Sequence, residues 1–114
     1  MNARYKIPVC PHGAAEDVDI HLAEFCDFLE REAGFTISYT SGFRCPKCNV
    51  KAGGVKNSAH LRGKAVDIAV TSPRKLYCLL EMCFMRGIGR IGIYRDHIHV
   101  DVDESLAGGV VFVK

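Results

Sequence analysis

One carboxylate constrains this chain more than any other residue. Asp67 stands inside Ala65-Val66-Asp67-Ile68-Ala69-Val70, an otherwise apolar run with the length of a short strand. A carboxylate in such a run is costly to bury unless it is paired, hydrogen-bonded or bound to a metal. A second strand-like stretch, His97-Ile98-His99-Val100-Asp101-Val102-Asp103, alternates polar with apolar, so positions 97, 99, 101 and 103 share one face. Two histidines and a carboxylate make a three-ligand set for a catalytic zinc, with a fourth position left for water. His60, in Ser58-Ala59-His60-Leu61-Arg62-Gly63, and Asp67 on the strand behind it would have to converge on His99. A buried Asp also serves as a plain structural acceptor, and surface histidines are common. The spacing is not that of a helical His-Glu-x-x-His zinc site, so pattern alone does not choose between these readings.

The rest of the chain supplies a frame for those strands. The first dozen residues, with Pro8, Pro11 and Gly13, read as an irregular lead-in. From Ala14 to Ala33 the apolar positions Ala15, Val18, Leu22, Phe25 and Leu29 recur at steps of three and four, one face of a helix closed by Gly34. Phe35 to Thr40 alternates as a half-buried strand. Ser41 to Lys64 shows neither period and reads as a long loop, a feature often functional in a small domain. Ser72-Pro73 opens a second helix, whose apolar face is Leu76, Leu79, Leu80, Cys83 and Phe84 and whose end is Gly87. Arg90–Tyr94 and His97–Asp103 read as two antiparallel strands about an Arg95-Asp96 corner, or as one bent strand, and Val110–Val113 as a last strand. This order predicts an α+β domain: a small, mainly antiparallel sheet with flanking helices.

Length and charge narrow the function classes. At 114 residues the chain predicts one domain, residues 1–114. A net charge of +2 is too small to suggest a nucleic-acid partner. No apolar run approaches the ~18 residues of a membrane span. The opening Met1-Asn2-Ala3-Arg4-Tyr5-Lys6 is not followed by the apolar stretch of a secretory signal, so cytosolic synthesis is expected. Reduced thiols are then the default for the cysteines at 10, 26, 45, 48, 78 and 83. Cys26, Cys78 and Cys83 fall in helical apolar patterns and read as small hydrophobes. Cys45-Pro46-Lys47-Cys48 is open to two readings: a redox pair, or half of a structural zinc site whose other half would be Cys78 and Cys83, a poor pairing given their helical setting.

Several segments together resemble one family. They are Ser41-Gly42-Phe43-Arg44-Cys45, Gly53-Gly54, Asn57 to Ile68, Gly89 to Tyr94, and His97-Ile98-His99-Val100-Asp101. They look like the M15 peptidases: zinc D-Ala-D-Ala carboxypeptidases and L-alanyl-D-glutamate endopeptidases, several phage endolysins among them, with a fold shared by the hedgehog signalling domain. The resemblance runs from roughly Val18 to Asp103, and its specific part is Ser-x-His-x6-Asp with a downstream Asp-x-x-His. It implies His60, Asp67 and His99 as zinc ligands and Asp96 as the catalytic carboxylate. It further implies Arg44 as a substrate-binding cation that polarises the scissile carbonyl, and Ser58 and His97 as substrate contacts. The implied function is zinc-dependent cleavage of the peptide stem of peptidoglycan by a monomer acting on the bacterial cell wall, in a phage or bacterial setting. A non-catalytic, zinc-stabilised hedgehog-like binding domain is the alternative. The Cys-x-x-Cys element is not part of the resemblance.

Overall fold

The computed structural model describes residues 2–114, and in it the two polar-interrupted runs become neighbouring strands. Five strands, β1 (Tyr39–Ser41), β2 (Ala65–Ala69), β3 (Arg90–Ile93), β4 (His97–Asp101) and β5 (Val110–Val113), form one sheet in the order β1-β2-β4-β3-β5. The β1–β2, β2–β4 and β3–β4 pairs are antiparallel, and β5 runs parallel to β3. Two strands, not one bent strand, therefore flank the Arg95-Asp96 corner.

Strand alternation gives the sheet two unlike faces. Val66 and Ile68 of β2, Ile98 and Val100 of β4 and Ile91 of β3 are buried in a single apolar core. Helices α1 (Ile20–Glu32) and α3 (Pro73–Met85) supply much of the rest of that core through Leu22, Phe25, Cys26, Leu29, Leu79, Met82 and Cys83. Burial pushes the Cys26 and Cys83 thiols up to about 12, as befits cysteines used as core hydrophobes. The opposite parity carries the polar residues. Asp67 pairs with His99, His99 with Gly92, and Gly92 with Phe112, so one cross-strand row runs over four strands.

The helices start and stop as the sequence predicts, with one correction. Ser72 caps α3 by accepting the Lys75 N–H, with Pro73 in the first turn. Gly34 and Gly87 follow the two long helices at φ 75° and 69°. The single helix expected from Ala14 is instead a 3-10 turn, Ala15–Asp17, followed by α1. Asp19 makes the break: its side chain accepts the His21 and Leu22 N–H groups, and its own N–H goes to the Gly63 carbonyl. Arg4 holds the intervening carbonyls of Ala15, Glu16 and Val18.

Two further expectations are corrected. The strand expected from Phe35 to Thr40 is confined to Tyr39–Ser41, because its partner β2 ends at Ala69, whose N–H bonds Ser38, and the chain then turns into α3. The stretch from Ser41 to Lys64 is not an unstructured loop. It contains α2 (Pro46–Lys51) and a 3-10 turn, Ala59–Arg62. Both are too short to show a hydrophobic period, but Pro46 begins one and Ser58 caps the other.

Candidate metal centre

His60 reaches the sheet from the 3-10 turn Ala59–Arg62. The Ser58 hydroxyl accepts the His60 N–H at 3.1 Å and fixes the start of that turn. Gly63 ends it at φ 66° and lies so close to the Asp17 carbonyl that a Cβ would collide with it. Arg62 ties the turn to the sheet, its Nε donating to the buried Asp103 carboxylate at 2.6 Å. Asp103 is held below the usual carboxylate range: burial works the other way but is outweighed by the Ser105 hydroxyl and Arg62.

The structure brings His60, Asp67 and His99 together, each offering one ligand atom within 4.8 Å of the others. Asp67 Oδ1 lies 3.3 Å from His60 Nε2 and 3.3 Å from His99 Nδ1. It is buried and makes no hydrogen bond to any described residue. Burial alone would raise its pKa, but the two facing imidazoles outweigh this and hold it well below the ordinary range.

The outer nitrogen of each imidazole is tied back. His60 Nδ1 donates to the Gly42 carbonyl at 2.7 Å, and His99 Nε2 donates to Asp101 at 2.7 Å. In those tautomers His60 Nε2 and His99 Nδ1 present lone pairs toward the orphaned Asp67 oxygen. Three inward acceptors with no donor between them fit a cation, and the two-nitrogen, one-oxygen set fits zinc with an open position. A carboxylate or carbonyl behind each histidine is the support that metal-ligating imidazoles use.

Asp101 is buried and further held by Arg90, whose Nε is 3.0 Å away. Burial pushes its pKa up, but bonds from His99, the Asp103 N–H and Arg90 bring it net down, so Asp101 stays a carboxylate. The same geometry acts on His99. Burial disfavours its charged form, but Asp101 and Asp67 outweigh that and raise its pKa. Sequence reasoning placed Asp101 on the His99 face without a role. The signal was its two-residue step from His99 in a strand.

The remaining predicted residues lie on segments adjoining the three clustered residues in the chain. Asp96 lies at the β3–β4 corner, exposed, and accepts from His97 Nδ1 at 2.7 Å. That bond lowers its pKa. His97 stacks on Tyr94 with ring centroids 4.4 Å apart, and Tyr94 meets Phe112 edge-on. Phe112 also lies 5.8 Å from the His99 ring, over Gly92, where any Cβ would collide with it. Tyr94 and Phe112 thus form an aromatic flank that sequence reasoning missed, since β5 carries no polar signal. Arg44 follows β1, its N–H on the His60 carbonyl, and its buried Nε has no partner among the described residues. Ser58 serves here as the cap behind His60. A cavity of ≈ 520 Å³, lined by Phe25, Arg86, Arg90 and Asp101 among others, includes none of His60, Asp67 or His99.

Cys45 and Cys48 do not meet Cys78 and Cys83. The latter two lie on α3, where Cys83 is sealed in the core and Cys78 packs against it. The donors gathered around Cys45 and Cys48 are Cys10 and His12.

A family model described as Peptidase M15 matches residues 7–101. No curated protein matches the chain. The match covers most of the chain and spans all three clustered residues, together with Arg44, Ser58 and Asp96. The chain belongs to the peptidase M15 family.

Proposed function

We propose that this chain is a zinc-dependent peptidase that hydrolyses the peptide stem of bacterial peptidoglycan, as a D-Ala-D-Ala carboxypeptidase or an L-Ala-D-Glu endopeptidase. One observation carries the reading: the buried Asp67 oxygen faces two imidazole nitrogens at 3.3 Å, while each ring's other nitrogen is already committed. His60, Asp67 and His99 would hold the ion. Bound there, zinc supplies Lewis acidity and a water acidified toward a pKa of ~7.

The chain's own groups divide the remaining work. Asp96 is ionised and solvent-facing, so it can take the proton of the attacking water and hand it to the leaving amine. Arg44 supplies positive charge for the oxygen of the scissile carbonyl as that oxygen becomes negative. His97, held between Tyr94 and Asp96, and the Ser58 hydroxyl, which can donate while accepting the His60 N–H, contact the bound peptide. We assign these tasks to a single-domain monomer that acts on the cell wall, in the manner of a phage lysis enzyme. Among the described residues no helix is long and apolar enough to cross a membrane.

The test is digestion of purified peptidoglycan by zinc-loaded protein, with products identified by mass spectrometry. Stem fragments lacking a terminal D-Ala, or cut between L-Ala and D-Glu, are the expected result and tell the two specificities apart. Intact stems after treatment with fully zinc-loaded protein would make the chain a metal-stabilised binding domain instead.

A further inference from the structure

The second donor cluster lies outside the peptidase site and is built from two stretches far apart in sequence. Val9 and Phe43 form an isolated parallel bridge, and the Cys10 N–H donates to the Phe43 carbonyl at 3.0 Å. This sets Cys10-Pro11-His12 beside Cys45-Pro46-Lys47-Cys48. Cys45 precedes α2 and Cys48 lies within it, so the turn into the helix brings both thiols to one side. The Cys45 N–H points at Cys10 Sγ, 3.4 Å away. Cys45 Sγ and Cys48 Sγ each lie 3.5 Å from His12 Nδ1, and all four donor atoms fall within 4.8 Å of one another.

Those lengths are informative. With Zn–S of about 2.3 Å and Zn–N of about 2.0–2.1 Å, a tetrahedral site has sulfur-to-nitrogen edges of about 3.5–3.6 Å. Both sulfur-to-nitrogen edges in the structure, 3.5 Å each, agree. The six cysteines are all free thiols, so no disulfide competes for these sulfurs in the structure. Three thiolates are soft donors and an imidazole suits zinc, so the set favours zinc over hard cations, and four protein ligands leave no position for water or substrate.

We propose that Cys10, His12, Cys45 and Cys48 form a second, structural zinc site that clamps the lead-in segment to the start of the β1–β2 connection. The clamp has a defined mechanical consequence. Gly42, whose carbonyl orients His60, and Arg44, whose N–H holds the His60 carbonyl, lie three residues or fewer from Cys45. Metal at the cysteine site therefore fixes the backbone behind one ligand of the peptidase centre without touching substrate. This holds whether or not the chain cleaves peptidoglycan, because it rests on the cysteine cluster alone.

The experiment is zinc analysis and cobalt substitution of the full chain, purified under reducing conditions. The parent is expected to bind about two zinc ions, and Cys45→Ser/Cys48→Ser and His60→Ala about one each. Cobalt-loaded parent is expected to show a thiolate-to-cobalt charge-transfer band, retained in His60→Ala and absent from Cys45→Ser/Cys48→Ser. Should the double variant fail to fold, the band in the parent and in His60→Ala still decides. A parent that binds one zinc and shows no such band would overturn the proposal. So would a Cys45–Cys48 disulfide that forms in the reduced-buffer preparation and leaves the parent with one metal.

Discussion

The connection between β1 and β2 carries donors of two kinds. Near its start Cys45 and Cys48 meet Cys10 and His12; near its end His60 meets Asp67 and His99. The first cluster has four donors, three of them sulfur, on partly exposed segments joined by a single backbone bridge. The second has three donors, two of them on adjacent strands in direct register, and both imidazoles are tied back to fixed acceptors. Four protein ligands close a zinc site and three leave room for chemistry. The proposed division between a clamp and a reaction centre rests on that difference in donor number and in what stands behind each donor.

Removing a ligand from the three-donor cluster is the harshest test of that contrast. His99→Ala or His60→Ala should abolish peptide cleavage and cost one metal per chain, as read by product formation and metal analysis of the same sample. Stoichiometric metal in the same site in both variants would show that the ligands are assigned wrongly.

Asp96→Asn sharpens the contrast differently, because a group that only moves protons can be removed without releasing metal. Its turnover should fall at least about a hundredfold, within the ~10²–10⁴ range of general acid–base contributions, with zinc content and melting temperature near the parent's. Near-normal turnover would shift the base role to His97. Loss of zinc would make Asp96 a support of the metal centre.

Asp101→Asn should weaken the metal centre through His99, the ligand it orients, while also disturbing its bonds to Arg90 and the Asp103 N–H. Losing a carboxylate behind a metal-bound imidazole typically costs about 10–100-fold in metal affinity, so zinc should bind more weakly by that factor in a competition titration with a chelator. The cysteine-bound metal should be unaffected. Equal weakening at both sites would point to general loosening of the fold.

The smallest effect concerns the Arg62–Asp103 pair that ties the His60 turn to the sheet. The folded-state pKa of Asp103 is depressed, so its stabilisation is present above the ordinary carboxylate value of about 3.9 and is lost as pH falls through the lowered folded value. Asp103→Asn should cost roughly 1–2 kcal/mol at neutral pH. Its melting temperature, measured on metal-free protein, should fall less steeply than the parent's between neutral pH and pH 3. Parallel pH curves for the two proteins would remove Asp103 from the account of acid sensitivity.

What the sequence disclosed follows the range of the interactions involved. Asp67 and His99 were legible because strand alternation puts a polar residue on a defined face, and each interrupted an apolar run. His60 sits in a one-turn helix with no period of its own, so residue type alone made it a candidate beside Asp67 and His99, and family resemblance carried its assignment as a ligand. The role of Asp101 was hidden because a carboxylate on the same face as a ligand looks identical whether it binds metal, solvent or the ligand itself. Cys10 and His12 were illegible as partners of Cys45 and Cys48. More than thirty residues of chain separate them, and their meeting depends on the Val9–Phe43 bridge in a segment without periodicity. The break at Asp19 was equally hidden, since Val18 and Leu22 keep helical spacing across it and the deciding bond, to Gly63, is non-local.

The most direct test of the division between clamp and reaction centre is the rate of stem-peptide release by His99→Ala and by Cys45→Ser/Cys48→Ser, each at its own measured zinc content and at a temperature where both are folded. Each variant is expected to retain about one zinc; His99→Ala should release no product, and the cysteine variant, its backbone behind His60 less firmly held, should still cleave, at a lower turnover than the parent's. Cleavage by His99→Ala at the parent's rate, or its absence in the cysteine variant despite an intact metal at His60, Asp67 and His99, would contradict that division.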